Sequence, residues 1–148
     1  MAVRWAIAST GTQAAVFADA FPLVPEAELV AVASRDAAAA AAFAAAHGAQ
    51  RGCSYDDLWA ADDIDAVYIA TPHTSHASVA LAAIASGKGV LVEKAFTNSV
   101  ADTRRVIDAA RAAGVFCCEG MWTRFLPGAV ELKRLVDSGA IGEVRSVQ

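Results

Sequence analysis

The sequence predicts an α/β fold, a doubly wound parallel sheet of about six strands with helices on both of its faces. Two observations predict it. Short runs rich in β-branched and other apolar residues alternate with longer helical patterns along most of the 148 residues, which is typical of consecutive β-α-β units. Hydrophobic residues make up 56% and charged residues 19% of the chain, so a buried core can form and intrinsic disorder is excluded.

The first half of the chain contains four predicted strands separated by helical segments. The strands cover Val3 to Ala8, Leu29 to Ala33, Gln50 to Cys53 and Ala66 to Ala70. The second of them is nearly continuous in apolar residues, as is typical of a strand buried on both faces. Asp36 can accept hydrogen bonds from the first amides of an alanine-rich segment, which predicts a helix from there to His47. The other predicted helical segments run from the turn at Ser9-Thr10-Gly11 to about Phe21 and over Ser54 to Leu58.

The second half of the chain alternates in the same way. Gly87 and Gly114 follow two helical patterns at the position where a left-handed glycine often ends a helix. The predicted elements are helices from about Ser75 to Ser86, from Ser99 to about Ala113 and from Leu126 to Asp137, and strands over Val90 to Val92 and Val115 to Cys118. Val144 to Gln148 has the pattern of the first residues of a further strand. We therefore expect one domain over residues 1–120, and over residues 121–148 a connecting helix and the first strand of a second, truncated α/β domain.

Composition and charge exclude several classes of protein. The formal net charge of −4 and the scattered Lys and Arg residues argue against nucleic-acid binding, which usually requires a clustered basic surface. No apolar run approaches the ~20 residues of a membrane-spanning helix, and the N-terminus lacks the pattern of a secretory signal. The cysteines are odd in number, and Cys117 and Cys118 are adjacent, so we expect structural thiols rather than a disulfide framework, and a cytoplasmic location.

The turn after the first strand is the first candidate ligand site. Dinucleotide-binding β-α-β units usually have G-x-G-x-x-G or A here, because glycines allow a tight turn and the close approach of a pyrophosphate to a helix N-terminus. Gly11 and Ala14 fit this pattern, whereas Ser9 replaces the first glycine. A strand-to-helix turn without a ligand is the alternative. The residues of this turn are Ser9, Thr10, Gly11, Thr12, Gln13 and Ala14.

The end of the second strand indicates which dinucleotide would bind. NAD sites usually carry an Asp or Glu there for the ribose 2′-hydroxyl, whereas the 2′-phosphate of NADP requires a nearby arginine instead. This sequence has Ser34 and Arg35. A guanidinium can hold a phosphate through parallel hydrogen bonds, so these residues favour NADP over NAD. Alternatively, Arg35 is a solvated residue with Asp36 as its partner.

The loops after the fourth and fifth strands lie at the edge where open α/β sheets bind ligands. Lys94 could hold its charge beside a substrate hydroxyl and ease its deprotonation as hydride leaves the same carbon. An exposed Glu93–Lys94 pair is the alternative. His73 and His76 have a spacing that could serve a metal, but no third ligand shares the segment, so we expect locally hydrogen-bonded histidines and no metal.

Four blocks of sequence together resemble the Gfo/Idh/MocA family of oxidoreductases. The order and spacing of the blocks carry the resemblance, which covers essentially the whole chain but only the first half of the family's usual length. Met121 to Pro127 is most similar to the branch that contains dihydrodiol and NADP-dependent xylose dehydrogenases. The blocks are Ala70-Thr71-Pro72 with His76, Gly87 to Ala95, Trp122 to Phe125, and Gly139 to Val144.

The resemblance implies a Rossmann domain that binds NAD or NADP, followed by an α/β domain that holds a small-molecule substrate and often forms the interface of a homo-oligomer. It implies that Lys94 is the catalytic lysine and that Glu93 approaches the nicotinamide ribose. The other cofactor-binding residues that it implies are Ser9, Thr10, Gly11, Thr12 and Gln13 at the pyrophosphate, Ser34 and Arg35 at the adenosine end, Ala70, Thr71, Pro72 and His76 along the cleft, and Trp122 and Arg124 at the nicotinamide side.

The sequence also departs from the family pattern. Ala95 replaces the proline of a Glu-Lys-Pro motif, Ser9 replaces a glycine, and no residue corresponds to the histidine and aspartate that the family draws from its second domain. We therefore expect the cofactor-binding part of an NADP-dependent oxidoreductase that transfers hydride between nicotinamide and a sugar, polyol or cyclic diol, and that is inactive by itself. The alternatives are a non-catalytic dinucleotide-binding module or truncated gene product, and a chain that assembles with a separately encoded partner.

Overall fold

One six-stranded parallel sheet forms the centre of the computed structural model, which describes residues 2–147. Its strands are β1 (Val3–Ala8), β2 (Ala27–Ala33), β3 (Arg51–Cys53), β4 (Ala66–Ile69), β5 (Gly89–Val92) and β6 (Cys117–Glu119). Their order across the sheet is β3-β2-β1-β4-β5-β6, and each neighbouring pair is parallel. The order reverses between β1 and β4, which is where open α/β sheets form their ligand crevice. The predicted α/β fold is confirmed.

Six α-helices connect and flank the strands, and local side chains fix where several of them begin. The Asp36 carboxylate accepts from the amides of Ala38 and Ala39 at 2.9 and 3.1 Å, as its position in the sequence predicts. Gly114 ends one helix with a φ of 66°, a conformation that glycine adopts without strain. The helices are α1 (Thr12–Ala18), α2 (Ala37–His47), α3 (Tyr55–Ala60), α4 (His76–Ala85), α5 (Val100–Ala113) and α6 (Pro127–Asp137), with 3-10 turns at Phe21–Leu23, His73–Ser75 and Trp122–Phe125.

Some element boundaries differ from the predicted ones, for identifiable reasons. Helix α1 ends at Ala18 rather than near Phe21, because a 3-10 turn that contains Pro22 follows it. Strand β6 begins at Cys117 rather than Val115, because the Val115 amide still donates to Ala110 O and so completes the end of α5. Hydrogen bonds, rather than the apolar pattern alone, therefore decide where these elements stop and start.

The strand predicted over Val144 to Gln148, the first of a second domain, stays a prediction, because no neighbouring strand for it lies within residues 2–147. Residues 143–147 have no regular secondary structure, and Gln148 lies outside the described part of the chain. A strand requires hydrogen bonds to a neighbouring strand, and within residues 2–147 none lies beside this segment. The apolar pattern of Val144 to Val147 is thus not sufficient to form a strand here.

Two hydrophobic clusters cover the two faces of the sheet. On one face, α3, α4 and α5 contribute Leu58, Ile84 and Val106, which are at most 3% exposed. On the other face, Ala14 and Ala18 of α1 pack on the central strands. Alanine and other small side chains at these contacts let helix and sheet backbones approach closely.

The surface beyond β6 remains apolar and exposed. Phe116, Trp122 and Phe125 are 60%, 59% and 76% exposed, although each is a large hydrophobic side chain. Helix α6 has no buried residue; its Ala129 and Leu135 are only half-buried.

No helix among residues 2–147 has the length and apolarity needed to cross a lipid bilayer.

Gly52 marks the closest approach between sheet and helix. A Cβ atom at this position of β3 would meet the backbone of Ala40 and Ala41 in α2 well inside van der Waals distance. Backbone atoms cannot rotate away as a side chain can, so a larger residue must push α2 off the sheet.

We predict that Gly52→Ala lowers the free energy of unfolding by about 1–3 kcal/mol, the usual effect of overpacking a well-packed site. Urea unfolding followed by far-UV circular dichroism measures it. Gly128→Ala in α6 is the matched control, because a Cβ there meets nothing within 4 Å and alanine favours a helix. Equal stability of the two variants would show that α2 does not press on β3.

Candidate functional site

A cleft of about 490 Å³ opens at the carboxyl edge of the sheet, between the loops that follow β1, β2 and β4. It brings together Ser9 and Thr10 from the first loop with Arg35 from the second, although 24 positions or more separate them in sequence. The loop after β4 forms the opposite wall. The lining residues are Ser9, Thr10, Ser34, Arg35, Tyr55, Thr71, Pro72, Thr74, Ser75, Ser78 and Val79.

A smaller recess of about 150 Å³ lies on the other side of Thr71 and contains the second group of predicted residues. Thr71 lines both the cleft and the recess, so the two are adjacent. The recess is lined by Gln13, Ala70, Thr71, His73, His76, Glu93 and Lys94. Cleft and recess together form a continuous candidate site along the edge of the sheet.

The remaining predicted residues lie at the margins. Gly11 and Thr12 are exposed at the beginning of α1. Trp122 lies with Gln13 and Glu93 on a wide, mostly apolar groove next to the recess. Arg124 is exposed and lines neither the recess nor the cleft.

The turn after β1 is stabilised by its own serine. Ser9 Oγ accepts a hydrogen bond from the Gly11 amide at 3.0 Å, so the residue that replaces the first glycine of the motif supports the turn. The first hydrogen bond of α1 runs from Ala15 N to Gly11 O. The amides that precede Ala15 at this helix start face the edge that carries the cleft.

Arg35 faces the cleft without an acidic partner. The Asp36 carboxylate caps α2, and Ser34 Oγ accepts from the Asp36 amide at 3.2 Å. Within the described residues the Arg35 guanidinium forms no ion pair, so the proposed pairing of Arg35 with Asp36 is not observed. Arg35 does lie near Tyr55, whose pKa burial raises and the Arg35 charge partly lowers.

Glu93 is held by both of its carboxylate oxygens. Tyr68 Oη donates to Glu93 Oε1 at 2.7 Å, and the Lys94 amide donates to Glu93 Oε2 at 3.1 Å. The side-chain ammonium of Lys94 is exposed and, among residues 2–147, forms no ion pair with Glu93. Glu93 is therefore fixed, whereas the Lys94 side chain extends to solvent.

Tyr68 is the buried support of this arrangement. It is 2% exposed, and its ring stacks on Phe17 of α1 with centroids 3.8 Å apart and planes inclined by 19°. Burial, and then the hydrogen bond to Glu93, hold the pKa of Tyr68 well above its usual range. The hydroxyl thus remains a hydrogen-bond donor to the carboxylate.

The ring nitrogens of His73 and His76 contact backbone carbonyl oxygens. His73 Nε2 lies 3.0 Å from Lys94 O, and the two ring nitrogens of His76 each lie 2.9 Å from a carbonyl oxygen, of Ala95 and of Thr71. In the described part of the chain no three His, Cys, Asp or Glu residues cluster as metal ligands would. Local hydrogen bonding, the interpretation favoured for these histidines, agrees with these contacts.

The side-chain hydroxyl of Thr71 indicates where a polar ligand would bind. Its Oγ1 is buried and has no hydrogen-bond partner within residues 2–147. Buried hydroxyls nearly always have a partner, and this one lies where cleft and recess meet. A polar ligand in the cleft would supply the missing partner.

The cysteines show no sign of catalytic activation. Cys53, Cys117 and Cys118 are free thiols and are half-buried. Burial raises the pKa of the Cys53 and Cys117 thiols, which keeps them in the less reactive protonated form. They are structural side chains of β3 and β6.

Among the residues of this site that were not predicted from the sequence, two tyrosines lie beside predicted ones. Tyr55 faces Arg35 across the cleft, and Tyr68 supports Glu93. Both lie in segments that read as ordinary helix or strand, so only the pairing of distant strands reveals their position. One feature of the sequence could have identified Tyr68: its hydroxyl lies within the otherwise apolar strand Ala66–Ile69, and a buried tyrosine hydroxyl usually has a hydrogen-bond partner.

The fold and this cleft define an NAD(P)-binding Rossmann domain. The chain belongs to the oxidoreductase family with an NAD-binding Rossmann fold designated GFO_IDH_MocA, whose family model matches residues 3–121. Among curated proteins it is similar to trans-1,2-dihydrobenzene-1,2-diol dehydrogenase of Danio rerio (38% identity over 151 residues) and of Homo sapiens (34% over 148 residues). The matches cover 100% and 98% of this chain but 45% and 44% of those proteins, so the chain spans about half their length.

Solved structures give the same result. A putative myo-inositol dehydrogenase from Sinorhizobium meliloti matches with a TM-score of 0.86 and 33% identity, over 96% of this chain and 43% of that one. KijD10, a 3-ketoreductase from Actinomadura kijaniata in complex with TDP-benzene and NADP, matches with a TM-score of 0.84 and 30% identity, over 98% and 46%. The predicted family is confirmed.

We predict that the two tyrosines of the chain ionise at higher pH in the folded than in the unfolded protein, where tyrosine has a pKa of about 10. Above about pH 10 the folded state then binds more protons than the unfolded state. The contribution of the tyrosines to the free energy of unfolding is therefore fully present below this pH and is lost as the pH rises. Phenolate absorbance, compared with and without urea, measures the ionisation, and Tyr68→Phe removes one titrating group. Coincident titration curves would contradict this prediction.

Proposed function

We propose that this chain is the cofactor-binding part of an NADP-dependent oxidoreductase that transfers hydride between nicotinamide and a sugar, polyol or cyclic diol. The observation that carries the proposal is a single edge of the sheet with an unpaired arginine at one end and an exposed lysine at the other. The buried, unpartnered Thr71 Oγ1 between them fits a polar ligand that spans both. Bound NADP would supply the hydride donor or acceptor.

The preference for NADP rests on Arg35. At the end of β2, the acid that NAD sites use for the ribose 2′-hydroxyl is absent from the cleft, because Asp36 instead caps α2. A guanidinium that is free of ion pairs can bind the 2′-phosphate by parallel, charged hydrogen bonds. Ser34 and Tyr55 line the same end of the cleft and would shape the adenosine site.

Lys94 is the residue that we propose to act on the substrate. Its ammonium is exposed at the mouth of the recess, while Glu93 beside it is fixed by Tyr68. A positive charge next to a substrate hydroxyl stabilises the developing alkoxide while hydride leaves the same carbon. The names of the relatives, a dehydrogenase of a cyclic diol and a putative dehydrogenase of a cyclic polyol, support this class of small-molecule substrate.

The exposed apolar surface supports a protein neighbour. Phe116, Trp122 and Phe125 line one groove and are each more than half exposed, and clustered exposed apolar side chains often mark an interaction surface. We propose that, in a protein of the length of its relatives, further polypeptide covers this surface and that the whole protein forms a homo-oligomer. The free, half-buried thiols favour a reducing compartment such as the cytoplasm.

We predict that Arg35→Ala weakens the binding of NADP by roughly 10- to 150-fold and leaves the binding of NAD within about twofold. A charged hydrogen-bond partner contributes about 1.5–3 kcal/mol, and only NADP carries the phosphate. Fluorescence titration of the reduced cofactors measures both affinities. Arg111→Ala, an exposed arginine at the end of α5, is the matched control. An unchanged ratio of NADP to NAD affinity would refute the assignment of Arg35.

We further predict that the chain binds NADPH but does not oxidise cyclic trans-diols with NADP. Lys94 is exposed, and no element among residues 2–147 closes over it to hold a substrate. Absorbance at the wavelength of NADPH follows any turnover. Measurable oxidation by this chain would overturn its description as only a cofactor-binding part, whereas failure to bind either dinucleotide would overturn the proposed function itself.

A further inference from the structure

His76 is fully buried between the two loops that form the recess. It is the first residue of α4 and is 0% exposed. Its Nδ1 lies 2.9 Å from Ala95 O in the lysine loop, and its Nε2 lies 2.9 Å from Thr71 O in the loop after β4. A single side chain therefore bridges the two loops, and it lies at the wall of the recess with no surface exposed to solvent.

We propose that His76 is a positioning residue that carries a proton on both ring nitrogens, and that this imidazolium ties the lysine loop to the loop after β4. The inference rests on the proposed function, since it concerns where Lys94 is held relative to the cofactor. It assigns to His76 the alignment of the nicotinamide end of the site.

The proton count follows from the chemistry of the two contacts. A carbonyl oxygen only accepts hydrogen bonds, so each ring nitrogen must be an N–H to form one. Neutral imidazole has one N–H and would direct the lone pair of its other nitrogen at a carbonyl oxygen 2.9 Å away. The imidazolium alone satisfies both carbonyls in this buried position.

The charged groups around His76 permit this proton. Glu93, half-buried and fixed by Tyr68, lies in the same recess and favours a positive ring. The Glu119 carboxylate also faces the lysine loop, because it accepts from the Phe96 amide at 2.9 Å.

Full burial opposes the proton, because a cation without exposed surface loses its hydration, and the two hydrogen bonds to carbonyl oxygens replace part of that hydration. Three nearby groups also oppose the proton, but more weakly. Lys94 is a cation, but its side chain is exposed and screened by water. The ring of His73 is 5.2 Å away, centroid to centroid, and meets that of His76 edge to face. The positive end of the α4 dipole also opposes a charge at this residue, but two direct hydrogen bonds from a charged donor outweigh a helix dipole.

Together these contacts fix the main chain at Lys94 and leave its side chain free. The Lys94 amide donates to Glu93, and Lys94 O is within 3.0 Å of His73 Nε2. His76 secures the next carbonyl, that of Ala95. Loss of one proton from His76 removes one of its two links, so the loops separate at the nicotinamide end, whereas Arg35 and its surroundings remain unchanged.

Nuclear magnetic resonance of the chain labelled with ¹⁵N-histidine tests the proton count directly. The chain has three histidines, and His47→Gln and His73→Gln assign the signals by elimination. We expect both ring nitrogens of His76 to show directly bonded protons at about pH 7, where an unperturbed histidine is mostly neutral. A single protonated nitrogen on His76 at this pH would overturn the proposal, whatever the binding data show.

Binding measurements test the positioning role. NADPH is compared with adenosine 2′,5′-bisphosphate, which carries the 2′-phosphate but no nicotinamide. We expect His76→Gln to weaken NADPH about 10-fold, as loss of one charged hydrogen bond would, and to change the bisphosphate by less than about twofold. His47→Gln, which removes the 2.7 Å contact between His47 Nδ1 and the Asp19 carboxylate on another part of the fold, is the matched control.

The pair of ligands separates this proposal from the proposed function. Equal loss of both ligands in His76→Gln would refute the positioning role. If neither ligand binds the wild-type chain, the proposed function fails instead.

Discussion

The reversal of strand order between β1 and β4 is the constraint on which the rest of the structure depends. The two strands are neighbours, yet the chain leaves them toward opposite faces of the sheet, so a cleft must open between their carboxyl ends. The strands on either side, β2 and β5, then deliver Arg35 and Lys94 to the same edge. Topology places the site, and a few side chains at strand ends supply its chemistry.

The polar residues of this edge divide into two groups. The side-chain oxygens of Ser9, Ser34 and Asp36 accept hydrogen bonds from nearby backbone amides and so shape the loops. Arg35 and Lys94 have no such contacts within the described residues and remain available to a ligand. A loop that is held by its own side chains can present free cations without losing its shape, which is what a site for an anionic cofactor requires.

Much of the fold could be predicted because its signals are local. Apolar runs identified five of the six strands, the exception being the short β3, and Asp36 marked the start of α2 by residue type and position alone. The edge that carries the site followed from the same pattern. What could not be predicted depends on contacts between distant segments: the hydrogen bond from Tyr68 to Glu93 requires the register of β4 against β5, and no local pattern records it. For the same reason the strand expected near Val144 stays a prediction, since a strand needs a neighbour and not only a suitable sequence.

The double anchoring of Glu93 has a thermodynamic consequence. A glutamate that rotates freely in the empty site would lose conformational entropy when a ribose hydroxyl fixes it. Here the hydrogen bonds from Tyr68 and from the Lys94 amide restrict its rotamers during folding, before any ligand arrives. The entropy cost of ordering this side chain is therefore part of the free energy of folding. It would not add to the free-energy cost of binding a ligand. Folding and recognition would thus be linked at this carboxylate, because a ligand that binds it would not have to restrict a side chain that folding has already ordered.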